Sequence, residues 1–206
     1  MSQRIIEIKD YALYQSNITN LIIPKTITLI ESFAFEENNN LESIQFEEGN
    51  DELILQQNAF KNCEKLTTIN IPKRLKQFDS KIFENCNNIK EITISENHEQ
   101  YQVKENILFS KDGTTLLYYP KGLENNYYLI PETVQETEEN IFSNNDDIQL
   151  IQFNNKLETI EENVFFGNKE IKTIYLPESI KTIDEYSSIS ILVVDKINTF
   201  VNLLHP

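Results

Sequence analysis

The chain has 206 residues, of which 39% are hydrophobic and 25% charged, and this composition suits one folded domain or one short repeat array. Its net charge of −15 argues against nucleic acid and anionic membrane surfaces as partners, because both attract clustered Lys and Arg. No stretch reaches the roughly 18 consecutive apolar residues of a membrane span, and the first residues lack the apolar core of a secretory signal.

In chain order, residues 1–14 precede the first clear pattern and are predicted to form an N-terminal cap. A pattern of the form apolar-x-x-apolar-x-apolar then begins at Ile18. It is followed by Pro in residues 18–24, 66–72 and 171–177, and it recurs without Pro in residues 41–46, 89–94 and 148–153. The alternation predicts a short strand with one buried face, and Pro ends it because Pro has no N–H to donate to the sheet.

A second pattern, a small or branched apolar residue followed by Phe, lies between the strands: Ala34-Phe35, Ala59-Phe60, Ile82-Phe83, Ile141-Phe142 and Val164-Phe165. The spacing along the chain from Phe60 to Phe83 equals the spacing from Phe142 to Phe165. The interval between Phe83 and Phe142 is larger than two such spacings, so one repeat contains an insertion. These periods predict a β-rich solenoid, a rod of about eight stacked 23-residue coils in which each coil buries the apolar face of the next.

The longer repeat contains residues 101–128, which are predicted to insert a β-hairpin with Ile107–Phe109 against Leu116–Tyr118 and a turn near Asp112 and Gly113. Residues 188–206 are too apolar for a solvated tail. We interpret them as a C-terminal cap, with an interface for a second copy as the alternative.

The residues Leu66-Thr67-Thr68-Ile69-Asn70-Ile71-Pro72, with Ala-Phe six residues before them, resemble the BspA-like subclass of leucine-rich repeats. The resemblance runs from about Ala12 to Ile183 and includes the long unit, so it implies a single leucine-rich repeat domain over residues 1–206. The family includes surface proteins of anaerobic bacteria and parasitic protozoa that mediate adhesion. The resemblance therefore implies a non-catalytic scaffold in contact with a cell surface or a host matrix.

Residues that could carry chemistry have structural interpretations. Cys63 and Cys86 occupy the repeat position that holds Asn38, Asn145 and Asn168, so we expect free, buried thiols that satisfy the backbone of a turn, with a disulfide as the alternative. His98 lies in a polar loop and is expected to be solvated, and no Cys or His lies near it at the spacing of metal ligands. We therefore expect no enzyme, no catalytic residue, no metal and no cofactor.

The outward strand position is the candidate partner-binding surface. It holds Leu129, Gln152 and Tyr175 on three successive coils, and Tyr127 should point to the same side. Either the hairpin stands beside this row and leaves it open, or it covers the row.

The sequence thus favours a protein-binding scaffold, for adhesion or surface contact by resemblance. The alternative is an intracellular adaptor, which the missing signal and the two cysteines favour. The oligomeric state stays open.

Overall fold

The computed structural model describes residues 5–171, 173–186 and 192–193, so most of the predicted C-terminal cap lies outside the described residues. The chain divides into two compact units, the first comprising residues 1–112 and 117–123 and the second residues 113–116 and 124–206. Among the described residues, the one helical element is a 3-10 turn over Ser80–Phe83.

Short strands make up both units. Those of the first unit are β1 (Glu7–Ile8), β2 (Asn20–Ile23), β3 (Leu29–Ile30), β4 (Ser43–Phe46), β5 (Ile54–Leu55), β6 (Thr68–Ile71), β7 (Glu91–Ile94), β8 (Tyr101–Lys104) and β9 (Ile107–Ser110). The boundary divides β10 (Thr115–Tyr118), and the second unit continues with β11 (Tyr127–Leu129), β12 (Glu136–Thr137), β13 (Leu150–Gln152), β14 (Thr159–Ile160), β15 (Thr173–Tyr175), β16 (Thr182–Ile183) and β17 (Leu192–Val193).

The strands stack as parallel coils, in register with the repeat. In the first unit, β2, β4, β6 and β7 form one parallel sheet, and β1, β3 and β5 form another. In the second unit, β11, β13, β15 and β17 form a parallel sheet, and β14 pairs with β16. The predicted class, a β-solenoid of about eight turns with a repeat of about 23 residues, is confirmed.

Phenylalanine side chains fill the interior of the coils, as the second pattern predicts. Phe35, Phe60 and Phe83 are at most 3% exposed, and their rings stack with centroids 4.9 and 5.7 Å apart. In the second unit, Phe142 and Phe165 occupy the same position and are equally buried. Because one coil cannot enclose a ring by itself, this core exists only when neighbouring coils stack.

The N-terminal residues join the same stack. Strand β1 pairs in parallel with β3, and Leu13 N–H donates to the Ala34 carbonyl as Phe35 N–H donates to the Ala59 carbonyl. Residues 7–13 therefore follow the geometry of a repeat coil, and their role as a cap stays a prediction.

The insertion contains one strand more than the sequence predicts. Strands β9 and β10 are present at the predicted positions, and the turn between them contains Gly113 at φ 76°. In addition, β8 pairs antiparallel with β9 across a two-residue turn, Glu105 and Asn106, whose φ angles are 52° and 62°. Two consecutive left-handed residues match the right-handed twist of a hairpin, but this position usually holds Asn-Gly, so the turn left little signal in the sequence.

A tight turn follows each strand that ends in Pro. The N–H of Ile27, Leu75 and Val134 donates over 3.0 Å to the carbonyl of the Pro three residues earlier, which is Pro24, Pro72 and Pro131 respectively, and Ile180 donates to Pro177 over 3.2 Å. At Pro24, Pro72 and Pro131, the aligned residue of the next coil is not Pro but Glu47, Ser95 and Asn154 respectively.

Buried polar side chains also donate to carbonyls of these turns. Arg74, 3% exposed, donates from Nη1 to the Ile27 carbonyl over 2.7 Å and from Nη2 to the Pro24 carbonyl over 3.4 Å. Asn154, also 3% exposed, donates from Nδ2 to the Pro131 carbonyl over 2.6 Å. Each side chain therefore adds a further hydrogen bond at a turn whose Pro carbonyl already accepts a backbone N–H.

His98 does the same at the turn of Pro72. The expectation that His98 is solvated is therefore wrong. The residue is buried, its Nε2 lies 3.2 Å from the Pro72 carbonyl, and its Nδ1 accepts the N–H groups of Gln100 and Tyr101 over 3.2 and 3.3 Å. Because Nδ1 accepts two hydrogen bonds, the neutral ring carries its proton on Nε2. Burial lowers the pKa of His98 below its ordinary value.

Candidate functional site

The predicted row of outward residues is present in the second unit. Leu129 in β11 pairs with Gln152 in β13, and Gln152 pairs with Tyr175 in β15, so the three lie side by side on adjacent coils. Tyr127, two residues before Leu129, is level with Leu150 of the next coil. We call Tyr127, Leu129, Gln152 and Tyr175 the outward row.

Strand alternation explains why the outward row is accessible. The residues between and beside its members point inward, and Tyr128, Ile151 and Ile174 are at most 7% exposed. Tyr127 is 48% exposed and Leu129 is 42% exposed, whereas Gln152 and Tyr175 are partly exposed. The row therefore combines apolar surface with a backbone that the buried neighbours hold in place.

Carboxylates lie at the start of the same strands. Glu124, Asp147 and Glu170 follow one another at intervals of one repeat, so they occupy one repeat position, and all three are exposed. Nearby, Lys169 Nζ pairs with Asp146 Oδ2 over 3.0 Å. The surface beside the outward row is therefore predominantly acidic.

The same outward position in the first unit has a different character. It holds Ile22, Gln45, Asn70 and Thr93, of which only Ile22 is apolar, and Ile22 is 60% exposed. The side chain of Asn70 is engaged with the backbone, because its Oδ1 accepts the Phe46 N–H over 2.7 Å. Thus the aromatic members of this position lie in the second unit, and Ile22 is the one apolar member in the first.

The two cysteines are free thiols with structural partners. Cys63 and Cys86 are at most 2% exposed, and their Sγ atoms donate to the carbonyls of Phe35 and Phe60 over 3.3 and 3.0 Å. Asn38 donates from the same repeat position to the Phe35 carbonyl over 2.8 Å. Burial raises the pKa of the Cys86 thiol, so little reactive thiolate forms at neutral pH.

Asn145 fills this repeat position in the second unit. Its Oδ1 accepts the N–H groups of Asp147 and Ile148 over 3.0 Å each, so it satisfies the backbone of a turn as expected for this repeat position. Asn38 and the cysteines instead donate to carbonyls, so the position serves both kinds of backbone group.

Within the described ranges, no three His, Cys, Asp or Glu residues are grouped closely enough to hold a metal ion. No helix in the described part of the chain is long and apolar enough to cross a membrane.

Solved structures of bacterial proteins share this fold. A leucine-rich repeat protein from Eubacterium ventriosum matches with a TM-score of 0.71 at 21% identity, over 86% of this chain and 53% of that one. The pneumococcal vaccine antigen PcpA matches with a TM-score of 0.57 at 22% identity, over 87% and 64%. A leucine-rich cell surface protein from Faecalibacterium prausnitzii matches with a TM-score of 0.50 at 17% identity, over 89% and 74%.

The chain thus spans about half of the Eubacterium protein and under two thirds of PcpA, and at these identities the likeness shows the fold alone. No curated protein matches the chain in sequence. The sequence pattern of the BspA-type leucine-rich repeat region matches residues 6–125 and 121–200, in six copies. The chain is a repeat scaffold that belongs to the BspA-type leucine-rich repeat family.

Proposed function

We propose that the chain is a non-catalytic scaffold that binds a protein partner through the outward row. The observation that carries this proposal is the exposure of Tyr127 and Leu129, at 48% and 42%, on strands whose intervening residues are buried. Tyrosine and other large side chains dominate binding energy at protein interfaces, and a preorganised backbone lowers the entropic cost of association.

The outward row also fits the register of a partner that lies across the coils. Leu129, Gln152 and Tyr175 repeat at the strand spacing of about 4.8 Å, so their span is short enough for one partner segment to contact all three. The neighbouring carboxylates of Glu124 and Asp147 add a polar rim, which is typical of protein interfaces.

A crosslinking experiment tests the location of the interface. Gln152 and Gln45 occupy the same outward position in the second and first units, so they form a matched pair. A photoreactive amino acid at position 152, introduced in the cells that produce the protein, should capture a discrete partner that mass spectrometry identifies. The same amino acid at position 45 should not capture it, and capture at 45 alone would place the interface in the first unit.

Two truncations then test the energetic role. Tyr175→Ala and Leu129→Ser should each weaken capture of that partner at least about tenfold, or about 1.4 kcal/mol, with little change in melting temperature. Ile22→Ser is the control, because Ile22 occupies the matching position in the first unit and is more exposed than Leu129. Undiminished capture in both variants would contradict the proposal, and marked unfolding of either would indicate a role in the core.

For the cellular setting, we propose adhesion or surface contact. The descriptions of PcpA as a vaccine antigen and of the Faecalibacterium protein as a cell surface protein support this. An intracellular adaptor is the second candidate, since Cys63 and Cys86 form no disulfide with each other. Antibody staining of intact against permeabilised cells separates the two, because staining that requires permeabilisation would exclude surface contact.

A further inference from the structure

One turn position in the first two coils holds residues that strain the backbone. Two residues before the buried Phe60, Phe142 and Phe165, the chain turns through the left-handed region at Asn58, Asn140 and Asn163, with φ 64°, 58° and 55°. The first two coils hold Tyr11 and Phe33 there, at φ 56° and 60°. Asn tolerates this conformation, whereas a bulky side chain is a genuine outlier that needs another reason.

The two strained residues form an aromatic stack on the surface of the first unit. The rings of Tyr11 and Phe33 are parallel to within 5°, with centroids 5.1 Å apart. Tyr14 meets Tyr11 at 78° over 5.9 Å, so these two rings make the walls of a corner. Tyr11 is 54% exposed and Tyr14 is 39% exposed, so neither ring is buried in the core.

This stack already carries a cation. The ammonium group of Lys61 lies over the Phe33 ring, 5.9 Å from its centroid. A ring attracts a cation because its face is electron-rich, and Tyr11 offers the same chemistry at a more exposed position.

A carboxylate completes the corner. Glu37 Oε2 accepts the Tyr14 hydroxyl over 3.0 Å and the Gln15 Nε2 over 2.6 Å. This hydrogen bond to Glu37, together with the charge of Glu36, raises the pKa of the Tyr14 hydroxyl. The corner therefore has a carboxylate at its edge, hydrogen-bonded to one of its two rings.

We propose that the corner formed by Tyr11, Tyr14 and Glu37 is a docking surface for a cationic side chain, Arg or Lys, presented by a partner protein. Two rings at right angles beside a carboxylate provide both cation–π attraction and charge neutralisation. The position of Lys61 over Phe33 shows that the stack accepts such a group within the chain itself. This proposal does not depend on the outward row, which lies in the second unit.

The strain supports a binding role over a purely structural one. If the turn required only a residue that adopts positive φ, Asn would serve, as it does at Asn58. Backbone strain clusters at binding sites, so the strained and stacked pair of Tyr11 and Phe33 supports a binding role.

An NMR titration with a defined probe tests the proposal. The probe is the blocked peptide acetyl-Gly-Arg-Gly-amide, compared with the same peptide in which citrulline replaces Arg and removes the charge. The Arg peptide should shift the ring signals of Tyr11 and Tyr14, and the citrulline peptide should bind at least about fivefold more weakly.

Three variants locate the site. Tyr11→Asn should abolish the shifts of the Tyr14 ring while the melting temperature changes by less than about 3 °C, because Asn relieves the strained turn. Glu37→Gln, which leaves both rings in place, should weaken binding of the Arg peptide at least about threefold. Tyr186→Asn is the control: Tyr186 is an exposed tyrosine at the same turn position with φ 54°, but the preceding coil has Asn163 there and offers no ring to stack on.

Each outcome decides the proposal. Equal binding of the Arg and citrulline peptides, or unchanged affinity in Glu37→Gln, would overturn the assignment of a cationic ligand. Ring shifts of the same size with maltotriose would indicate neutral stacking of a sugar and would also overturn it. If Tyr11→Asn is destabilised, Glu37→Gln still decides, because it removes the charge without altering the stack.

Discussion

Replacing Phe60 with Ala tests whether the phenylalanine stack forms the core of the first unit. Phe60 is fully buried, and its ring contacts those of Phe35, Phe83 and Phe46 at centroid distances of 4.9, 5.7 and 6.4 Å. Core Phe→Ala substitutions cost about 3–5 kcal/mol, a range that already includes lost ring contacts, and three ring neighbours place Phe60 in its upper half. We therefore expect a loss of about 4–5 kcal/mol, close to the whole stability of a marginal domain.

Urea denaturation followed by far-UV circular dichroism measures this loss. Phe166→Ala is the control, because Phe166 is 50% exposed although it follows the buried Phe165 directly. It should cost less than about 1 kcal/mol. A loss below about 2 kcal/mol for Phe60→Ala, with an unchanged urea dependence, would refute the stacked core, whereas a lower slope would indicate that the two units unfold separately.

Three further predictions concern buried positions. Ile71→Asp should lower the free energy of unfolding by more than about 4 kcal/mol in the same urea assay, because it buries a charge in β6. A variant that unfolds like the wild type would show that Ile71 is not in the core. A thiol reagent should label neither Cys63 nor Cys86 in the native protein and both after denaturation without reductant, and absence of label after denaturation would reveal a disulfide. Burial lowers the pKa of His98, so as the pH falls the unfolded chain takes up the proton before the folded chain does. The contribution of the neutral His98 ring to stability is therefore complete above about pH 6.5 and falls as the pH drops below it. The urea midpoint should therefore fall more steeply between pH 7.5 and 5.5 in the wild type than in His98→Gln, and equal slopes would contradict the buried neutral ring.

The repeat itself could be predicted from sequence. Side chains alternate along a strand with period two, and a parallel stack aligns positions that are one repeat apart. These two rules place Phe60 and Phe83 in one column and Leu129, Gln152 and Tyr175 in another, as the structure has them. They need only positions in a regular repeat, so no knowledge of distant contacts was necessary.

Where the repeat is irregular, only the tertiary structure decides what a residue does. Gly122 stands alone in the sequence, yet a Cβ there would lie 2.6 Å from the backbone of Asn88, because the end of the insertion packs directly on an earlier coil. His98 looked solvated because its sequence neighbours are polar, and only the fold shows that the ring is buried with Nε2 near the Pro72 carbonyl.

The aromatic corner depended on tertiary structure in the same way. Tyr11 and Phe33 belong to successive coils but fall outside the two periodic patterns, so composition and spacing do not single them out. Only the left-handed turn brings their rings into contact and leaves Tyr11 exposed. Periodic positions follow from local strand geometry. The contacts described here depend instead on where neighbouring coils approach each other closely, and those approaches differ wherever the repeat is irregular.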